Sequence, residues 1–129
     1  MTQKILIIDD DIDLVEATKN VLEGIYSVNV ANSGTEGWKK LEEDIPDLII
    51  LDVMMENRAE GFIFSRKMRK IEKYSRIPIL MLTGMREQTG FAPIKEDPRH
   101  PKFLPVDEFM EKPVKPAELL DRIEKMLNK

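Results

Sequence analysis

The sequence predicts a doubly wound α/β fold, in which helices cover both faces of a parallel β-sheet. Short apolar runs rich in Ile, Leu and Val alternate along the chain with segments of helical periodicity. Several of these runs are apolar throughout, which is typical of strands that are buried on both faces. Because crossovers between parallel strands are right-handed, the alternation restricts the topology to a doubly wound sheet.

Most of the strands are predicted from apolar runs, and the second is predicted from the alternation of its residues. They cover residues 4–8, 26–31, 47–51, 78–82 and 108–111. The last of them is the shortest.

The helices are predicted from apolar positions at helical spacing and from their start signals, and they cover residues 12–24, 33–44, 61–73 and 115–128. Ser33 and Glu36 form a capping-box pattern, in which each side chain satisfies a free backbone N–H. Pro116 suits the first turn of the last helix. The residues expected to face the core are Leu14, Ala17, Val21, Leu22, Trp38, Leu41, Ile45, Phe64, Met68, Ile71, Leu119, Leu120, Ile123 and Leu127.

Composition indicates one globular domain, residues 1–129, without an output domain. Hydrophobic residues make up 42% of the chain and charged residues 34%, with a net charge of −4, which is not the profile of a disordered protein. There is no cysteine, so disulfides and Cys-based metal sites are excluded. No apolar run approaches the roughly 20 residues that span a bilayer, and no signal peptide is evident. We therefore expect a cytoplasmic protein that does not insert into membranes.

Residues 84–106 break the regular alternation. Pro93, Pro98, Pro101 and Pro105 exclude one continuous helix there, because proline removes a donor and clashes within a helix interior. The segment also contains large apolar residues, so we expect a packed but irregular chain. His100, the only histidine, is expected to be an ordinary exposed loop residue in it.

Polar side chains follow four of the predicted strands where each strand ends. Asp9 and Asp10 follow the first, Asp52 the third, Thr83 the fourth and Lys112 the fifth. In an open α/β sheet, ligands bind beyond the carboxyl ends of the strands. If the first strand lies between the second and the third, Asp9, Asp10 and Asp52 become neighbours.

Three carboxylates in one place repel one another, and a divalent cation that prefers oxygen ligands, such as Mg²⁺, relieves the repulsion. The metal would neutralise charge in phosphoryl transfer, and a carboxylate can be the nucleophile, which yields an aspartyl phosphate. Lys112 supplies a positive charge for the phosphoryl oxygens, and the Thr83 hydroxyl can donate a hydrogen bond to them. Each residue alone has an ordinary structural explanation, as Asp11 has in capping a helix. Their combination at successive strand ends is what indicates a phosphoryl-transfer site.

The chain resembles the receiver domains of response regulators in two-component signalling. The matching motifs are ILIIDDD at 5–11, DLIILDVMM at 47–55, PILMLTG at 78–84 and EFMEKPV at 108–114. The resemblance implies a flavodoxin-like five-stranded sheet of order 2-1-3-4-5, with an atypical fourth-helix region where residues 84–106 stand.

The resemblance also implies roles for the residues at the strand ends. Asp52 would accept the phosphoryl group, and Asp9, Asp10, Asp52 and the backbone carbonyl of Met54 would bind Mg²⁺. Thr83 and Lys112 would contact the phosphoryl group, while Thr83 and Phe109 would form the switch that responds to it.

The family further implies a sensor histidine kinase or phosphotransfer protein as phosphodonor and a downstream protein as target. The domain would be a phosphoacceptor and not an enzyme. We expect no direct contact with nucleic acid, because the basic residues of the third helix are expected to form a solvated face.

Three departures from the family pattern concern loops. Glu56 replaces a usual proline, and Gly84 replaces a usual alanine. The stretch between Thr83 and Lys112 is longer than usual and rich in proline.

Three alternatives stay open at this point. A flavodoxin-like FMN-binding protein would need a phosphate-binding loop of Ser, Thr and Gly after the first strand, where this chain has carboxylates. A phosphohydrolase with an aspartate nucleophile would carry a D-x-D-x-T pattern there, and this chain lacks the Thr. A pseudo-receiver would bind partners without being phosphorylated.

Overall fold

The computed structural model describes residues 2–52, 60–83, 106–111 and 114–128, with the backbone alone for residues 60–62 and 83. Its five strands are β1 (Lys4–Ile8), β2 (Ser27–Ala31), β3 (Leu48–Asp52), β4 (Ile79–Thr83) and β5 (Glu108–Glu111). The bounds of β1 and β5 are as predicted, and those of the other strands differ from the prediction by one residue at most. The prediction for residues 84–106 lies outside the described residues except at Val106, which is half-buried and packs against the core.

The strands form one sheet of order β2-β1-β3-β4-β5, and all four pairings are parallel. This confirms the predicted doubly wound sheet of order 2-1-3-4-5. β1 lies between β2 and β3, with Ile8 opposite Ala31 on one side and Leu51 on the other. The carboxyl ends of β1 and β3 are therefore side by side.

Four helices are described: α1 (Ile12–Leu22), α2 (Gly34–Glu43), α3 (Glu60–Arg69) and α4 (Pro116–Leu127). The predicted third helix, 61–73, is too long, because α3 ends at Arg69 and a 3₁₀ turn follows at Glu72–Tyr74. None of the helices in the described part of the chain is long and apolar enough to cross a membrane.

Successive strand residues point to opposite faces of the sheet, and each face has its own buried cluster. On β1, Leu6 and Ile8 join the cluster that contains Leu41 of α2 and Met68 of α3. On the opposite face, Ile5 and Ile7 of β1 join a second cluster. Its helix residues include Val15 and Leu22 of α1 and Leu119 and Ile123 of α4. Burial on both faces explains the apolar runs of the central strands β1, β3 and β4, whereas the edge strands β2 and β5 also carry polar residues and are only partly buried.

The predicted starts of α1 and α2 are confirmed by side-chain hydrogen bonds. A side-chain oxygen of Asp11 accepts from the Leu14 N–H at 3.2 Å and caps α1. Ser33 Oγ accepts from the Glu36 N–H at 3.1 Å and caps α2. The Glu36 carboxylate reaches back to the N–H of Asn32, one residue before the cap, instead of to that of Ser33.

Two of the predicted core positions are wrong. Ala17 is exposed, because α1 turns Val15, Thr18 and Leu22 toward the sheet. Ile45 is 47% exposed, because α2 ends at Glu43 and the backbone of the following residue is extended, so the helical spacing does not continue to residue 45.

Candidate metal and phosphoacceptor site

The site lies at the carboxyl ends of two neighbouring central strands. Asp52 is the last residue of β3, and Asp9 directly follows β1. Since Ile8 is opposite Leu51, continuing the parallel register by one residue places Asp9 beside Asp52. The sequence predicted that Asp52 follows its strand, whereas it is the strand's final residue, paired with Leu82 of β4.

Asp9 is held by the backbone on two sides. Its N–H donates to the carbonyl of Ala31 at 3.1 Å, which extends the pairing with β2 by one residue. Its Oδ1 accepts from the N–H of Asp11 at 2.9 Å. The side chain is only 2% exposed, so these bonds orient a carboxylate within the protein instead of at its surface.

The carboxylates of Asp9, Asp10 and Asp52 come together as predicted. Each offers an oxygen, and these oxygens all lie within 4.8 Å of one another. Oxygens bound to one Mg²⁺ are at most about 4.2 Å apart, because each Mg–O distance is about 2.1 Å. The three residues therefore fit a hard divalent cation after small side-chain adjustments, which the exposed Asp10 can make most freely.

The electrostatics of the cluster favour a cation. Asp9 and Asp52 are each 2% exposed, whereas Asp10 is exposed. Moving a carboxylate out of water is costly unless it gains compensating charge or hydrogen bonds, and neighbouring carboxylates raise that cost. A divalent cation supplies charge of opposite sign at the point where the three oxygens converge.

Asp11, the third of the consecutive acidic residues, has a different role. Its side chain caps α1 through the Leu14 N–H, while its own N–H orients Asp9. The sequence predicted the cap but missed the bond to Asp9. The run of three aspartates after β1 could have indicated this bond. The side chain of the third aspartate can cap the next helix while its N–H donates to the carboxylate of the first.

The remaining predicted site residues are placed only in part. Thr83 ends β4 opposite Glu111, and because its neighbour Leu82 is opposite Asp52, its backbone lies at the same edge of the sheet. The Thr83 side chain, Met54 and Lys112 lie outside what the structure describes, so their predicted roles stay predictions.

Phe109, the predicted switch residue, is in β5 opposite Met81 of β4. It is half-buried and packs against the cluster on the α2–α3 face. Its carbonyl accepts a 3.3 Å hydrogen bond from Arg122 of α4, whose guanidinium also pairs with Glu108 at 3.0 Å. Phe109 therefore lies at the edge of the sheet, between the core and the outer surface.

Comparison with known proteins gives a consistent match. The sequence model described as the response regulator receiver domain matches residues 5–124. Among individual relatives, the alkaline phosphatase synthesis transcriptional regulatory protein PhoP of Bacillus subtilis is 34% identical over 130 residues, which cover 100% of this chain and 50% of PhoP. The CpxR homolog of Haemophilus influenzae, a transcriptional regulatory protein, is 34% identical over 98% of this chain and 51% of its own. The chain thus spans about half the length of these relatives.

Solved structures share the fold along nearly their whole length. The chemotaxis response regulator CheY4 of Vibrio cholerae has a TM-score of 0.81 and 29% identity, covering 97% of this chain and 98% of its own. A CheY-like receiver domain protein from Methanospirillum hungatei has a TM-score of 0.77 and 28% identity, covering 99% and 95% of the two chains.

Proposed function

The chain belongs to the response regulator receiver domain family, and from this premise we propose that Asp52 accepts a phosphoryl group in a Mg²⁺-dependent reaction. The observation that carries the proposal is the cluster itself, in which the buried carboxylate of Asp52 lies within 4.8 Å of those of Asp9 and Asp10. A structural role for Asp52 alone would not explain why two further carboxylates lie next to it.

In the proposed reaction, a carboxylate oxygen of Asp52 attacks the phosphorus of a phosphodonor. With acetyl phosphate, an O–P bond forms to Asp52 and the O–P bond to the leaving acetate breaks. With a phosphohistidine donor, the N–P bond breaks and the imidazole takes up a proton. The product in both cases is an aspartyl phosphate.

Asp9 and Asp10 would hold the metal together with Asp52, and the family pattern would add the carbonyl of Met54. The bound Mg²⁺ supplies positive charge next to the transferring phosphoryl oxygens. Thr83 donates a hydrogen bond to one of these oxygens, and Lys112 adds a further positive charge. Because the Asp11 N–H orients the Asp9 carboxylate, Asp9 would present a fixed oxygen ligand to the metal.

The domain acts as a phosphoacceptor in a signalling pathway and turns over no separate substrate. A histidine kinase or phosphotransfer protein supplies the phosphoryl group, and a downstream protein reads the phosphorylated form through the region of Thr83 and Phe109. PhoP and the CpxR homolog are transcriptional regulatory proteins, whereas CheY4 is a chemotaxis response regulator. Receiver domains similar to this chain therefore serve different kinds of downstream target.

Incubation with acetyl phosphate, with and without Mg²⁺, tests the proposal by intact mass. We expect one added phosphoryl group only when Mg²⁺ is present. Hydroxylamine should remove it, as it removes acyl phosphates in general.

The alternatives give different results. A pseudo-receiver would bind Mg²⁺ without gaining mass. A phosphohydrolase would consume acetyl phosphate catalytically over many turnovers, and a flavodoxin-like protein would bind FMN. Labelling that proceeds equally in EDTA would contradict the assignment of the carboxylate cluster as a metal site.

A further inference from the structure

A glycine of α2 lies unusually close to the strand that carries the site. A Cβ atom added to Gly37 would be 2.6 Å from Cδ1 of Ile8, 3.0 Å from its Cγ1 and 3.2 Å from its Cγ2. Carbon atoms in van der Waals contact are about 3.5–4.0 Å apart. A Cβ atom at position 37 would therefore require the Ile8 side chain or α2 to move.

Ile8 has little freedom to move away from an added Cβ. Both branches of its side chain are within 3.2 Å of the added atom, so rotation about χ1 would exchange one close contact for another. The residue is 0% exposed and belongs to the core cluster that includes Leu41 and Met68. Close-packed interiors transmit such strain to their neighbours instead of absorbing it.

Gly37 does not favour the helix in which it lies, since glycine has the lowest helix propensity after proline. It is buried against β1 in the first half of α2. A glycine at this position lowers the stability of α2 but permits close packing of α2 against β1, which indicates a role for that close packing.

The backbone of Ile8 leads directly to Asp9, whose buried carboxylate belongs to the site. Resting on the proposed function above, we infer that Gly37 is a positioning residue for the metal site. Without a side chain at position 37, α2 can pack closely against Ile8, the last residue of β1. This packing keeps Asp9, the next residue, beside Asp52, so that both carboxylates can bind the same cation.

A side chain at position 37 would push on Ile8 and, through it, on the peptide between Ile8 and Asp9. That peptide carries the Asp9 N–H, which is bonded to Ala31. The carboxylate of Asp9 would then move relative to the carboxylates of Asp10 and Asp52. Metal sites are sensitive to such shifts, because ligand oxygens must meet the ion within a few tenths of an ångström.

The experiment measures Mg²⁺ affinity and metal-free stability separately. Mg²⁺ binding to wild type and to Gly37→Ala is titrated calorimetrically at a temperature at which both are folded, and thermal unfolding is recorded in EDTA. We expect Gly37→Ala to weaken Mg²⁺ binding by about tenfold or more, as changes behind metal ligands typically do. A purely structural role would lower the metal-free Tm and leave the Mg²⁺ dissociation constant unchanged.

The double variant Gly37→Ala/Ile8→Val tests the route through Ile8. Valine lacks Cδ1, the atom closest to the added Cβ, so the double variant should bind Mg²⁺ more tightly than Gly37→Ala. It should still bind Mg²⁺ more weakly than Ile8→Val, because the two Cγ atoms remain within 3.2 Å of the added Cβ. Ile8→Val alone should bind Mg²⁺ as wild type does. If Gly37→Ala does not fold, the double variant is compared with Ile8→Val, and weaker Mg²⁺ binding in the double variant supports the inference.

Gly24→Ala is the matched control, because a Cβ at Gly24 would meet nothing within 4 Å. Its Mg²⁺ affinity should equal that of wild type. Unchanged Mg²⁺ affinity in the folded Gly37→Ala protein, or in the double variant relative to Ile8→Val, would overturn the inference. Failure of the proposed function has a different signature, since wild type would then bind Mg²⁺ but gain no phosphoryl group from acetyl phosphate.

Discussion

Arg69 at the end of α3 and Asp107 just before β5 form an ion pair, with 2.9 Å between Arg69 Nη2 and Asp107 Oδ2. The same carboxylate oxygen accepts from the N–H of Ile79 at 2.8 Å. Nη1 of Arg69 donates to the carbonyls of Ser75 and Ile77 at 2.8 and 2.9 Å. One guanidinium thus joins the end of α3, the turn after it and the starts of β4 and β5.

This pair lies at the opposite end of the sheet from the carboxylate cluster. The Asp107 N–H also donates to the carbonyl of Ile79 at 3.0 Å, so Asp107 is bound to β4 through both its backbone and its side chain. Because β5 is a short edge strand with one neighbour, these bonds set its register on β4. The register in turn places Phe109 opposite Met81 and Glu111 opposite Thr83.

We expect Asp107→Ala to lower the free energy of unfolding by about 1–2 kcal/mol, because it leaves the Ile79 N–H and one side of the Arg69 guanidinium without their acceptor. The loss should stay at this level because the carboxylate is 46% exposed and water can replace part of the interaction. Denaturant unfolding measures the change.

Asp121→Ala is the matched control for that prediction. Asp121 pairs with Lys125 one turn along α4, with side chains 58% and 71% exposed, and such pairs contribute about 0.5 kcal/mol or less. If Asp107→Ala is as stable as Asp121→Ala, the bonds to Asp107 do not hold β5 in place.

Mg²⁺ should stabilise the folded protein by mass action, since the three-carboxylate cluster exists only in the folded chain. At a Mg²⁺ concentration of about 100 times the dissociation constant, the expected gain is about 2.7 kcal/mol. Thermal unfolding with and without Mg²⁺ should show an upward shift in wild type and a much smaller one in Asp10→Asn.

Asp13→Asn controls for the loss of one negative charge near the site. Asp13 is exposed in the first turn of α1 and is not among the three clustered residues. Its Mg²⁺-dependent shift should equal that of wild type. Equal shifts in wild type and Asp10→Asn would mean that the cation binds elsewhere.

The cap of α2 should contribute measurably to stability. Ser33→Ala removes the acceptor of the Glu36 N–H, and loss of a Ser cap costs about 1 kcal/mol. Because α2 passes close to Ile8 at Gly37, the variant should also weaken Mg²⁺ binding slightly. Chemical unfolding and calorimetry check the two effects, and an unchanged unfolding free energy would contradict the role of the cap.

The aspartyl phosphate should be long-lived. Its hydrolysis needs a positioned water. The residues two positions after Asp52 and Thr83, which flank the approach of water in this family, are Met54 and Met85. Both lie outside the described residues, so this prediction rests on their chemistry, since neither side chain can orient a water as a carboxylate or amide can. The double variant Met54→Asn/Met85→Glu should lose phosphate faster than wild type, and equal half-lives would count against this account.

The central strands β1, β3 and β4 were predicted well from the sequence because parallel strands buried on both faces leave apolar runs. The predicted convergence of Asp9, Asp10 and Asp52 followed from the same feature, since parallel strands bring their carboxyl ends to one edge. No long-range information was needed beyond the position of β1 between β2 and β3.

The helix faces were harder to predict, because α1 has two sets of residues at helical spacing. The predicted set was Leu14, Ala17, Val21 and Leu22, whereas the buried residues are Val15, Thr18 and Leu22, so that only Leu22 is common to both. A threonine is unexpected in a core, but the Thr18 hydroxyl donates to the Leu14 carbonyl at 2.8 Å and so can be buried at little cost. The end of α3 was missed for a similar reason, because Arg69 binds carbonyls in the following turn, which helical periodicity does not reveal.

The identity of the phosphoacceptor is tested most directly by mapping the labelled residue. Wild type and Asp52→Asn are incubated with acetyl phosphate and Mg²⁺, and their intact masses are compared. Lys112→Ala, included alongside, should retain part of the labelling, because the role proposed for Lys112 is to assist the transfer and not to receive the phosphoryl group. The account predicts one phosphoryl group on wild type and none on Asp52→Asn. Labelling of Asp52→Asn to the level of wild type would contradict it.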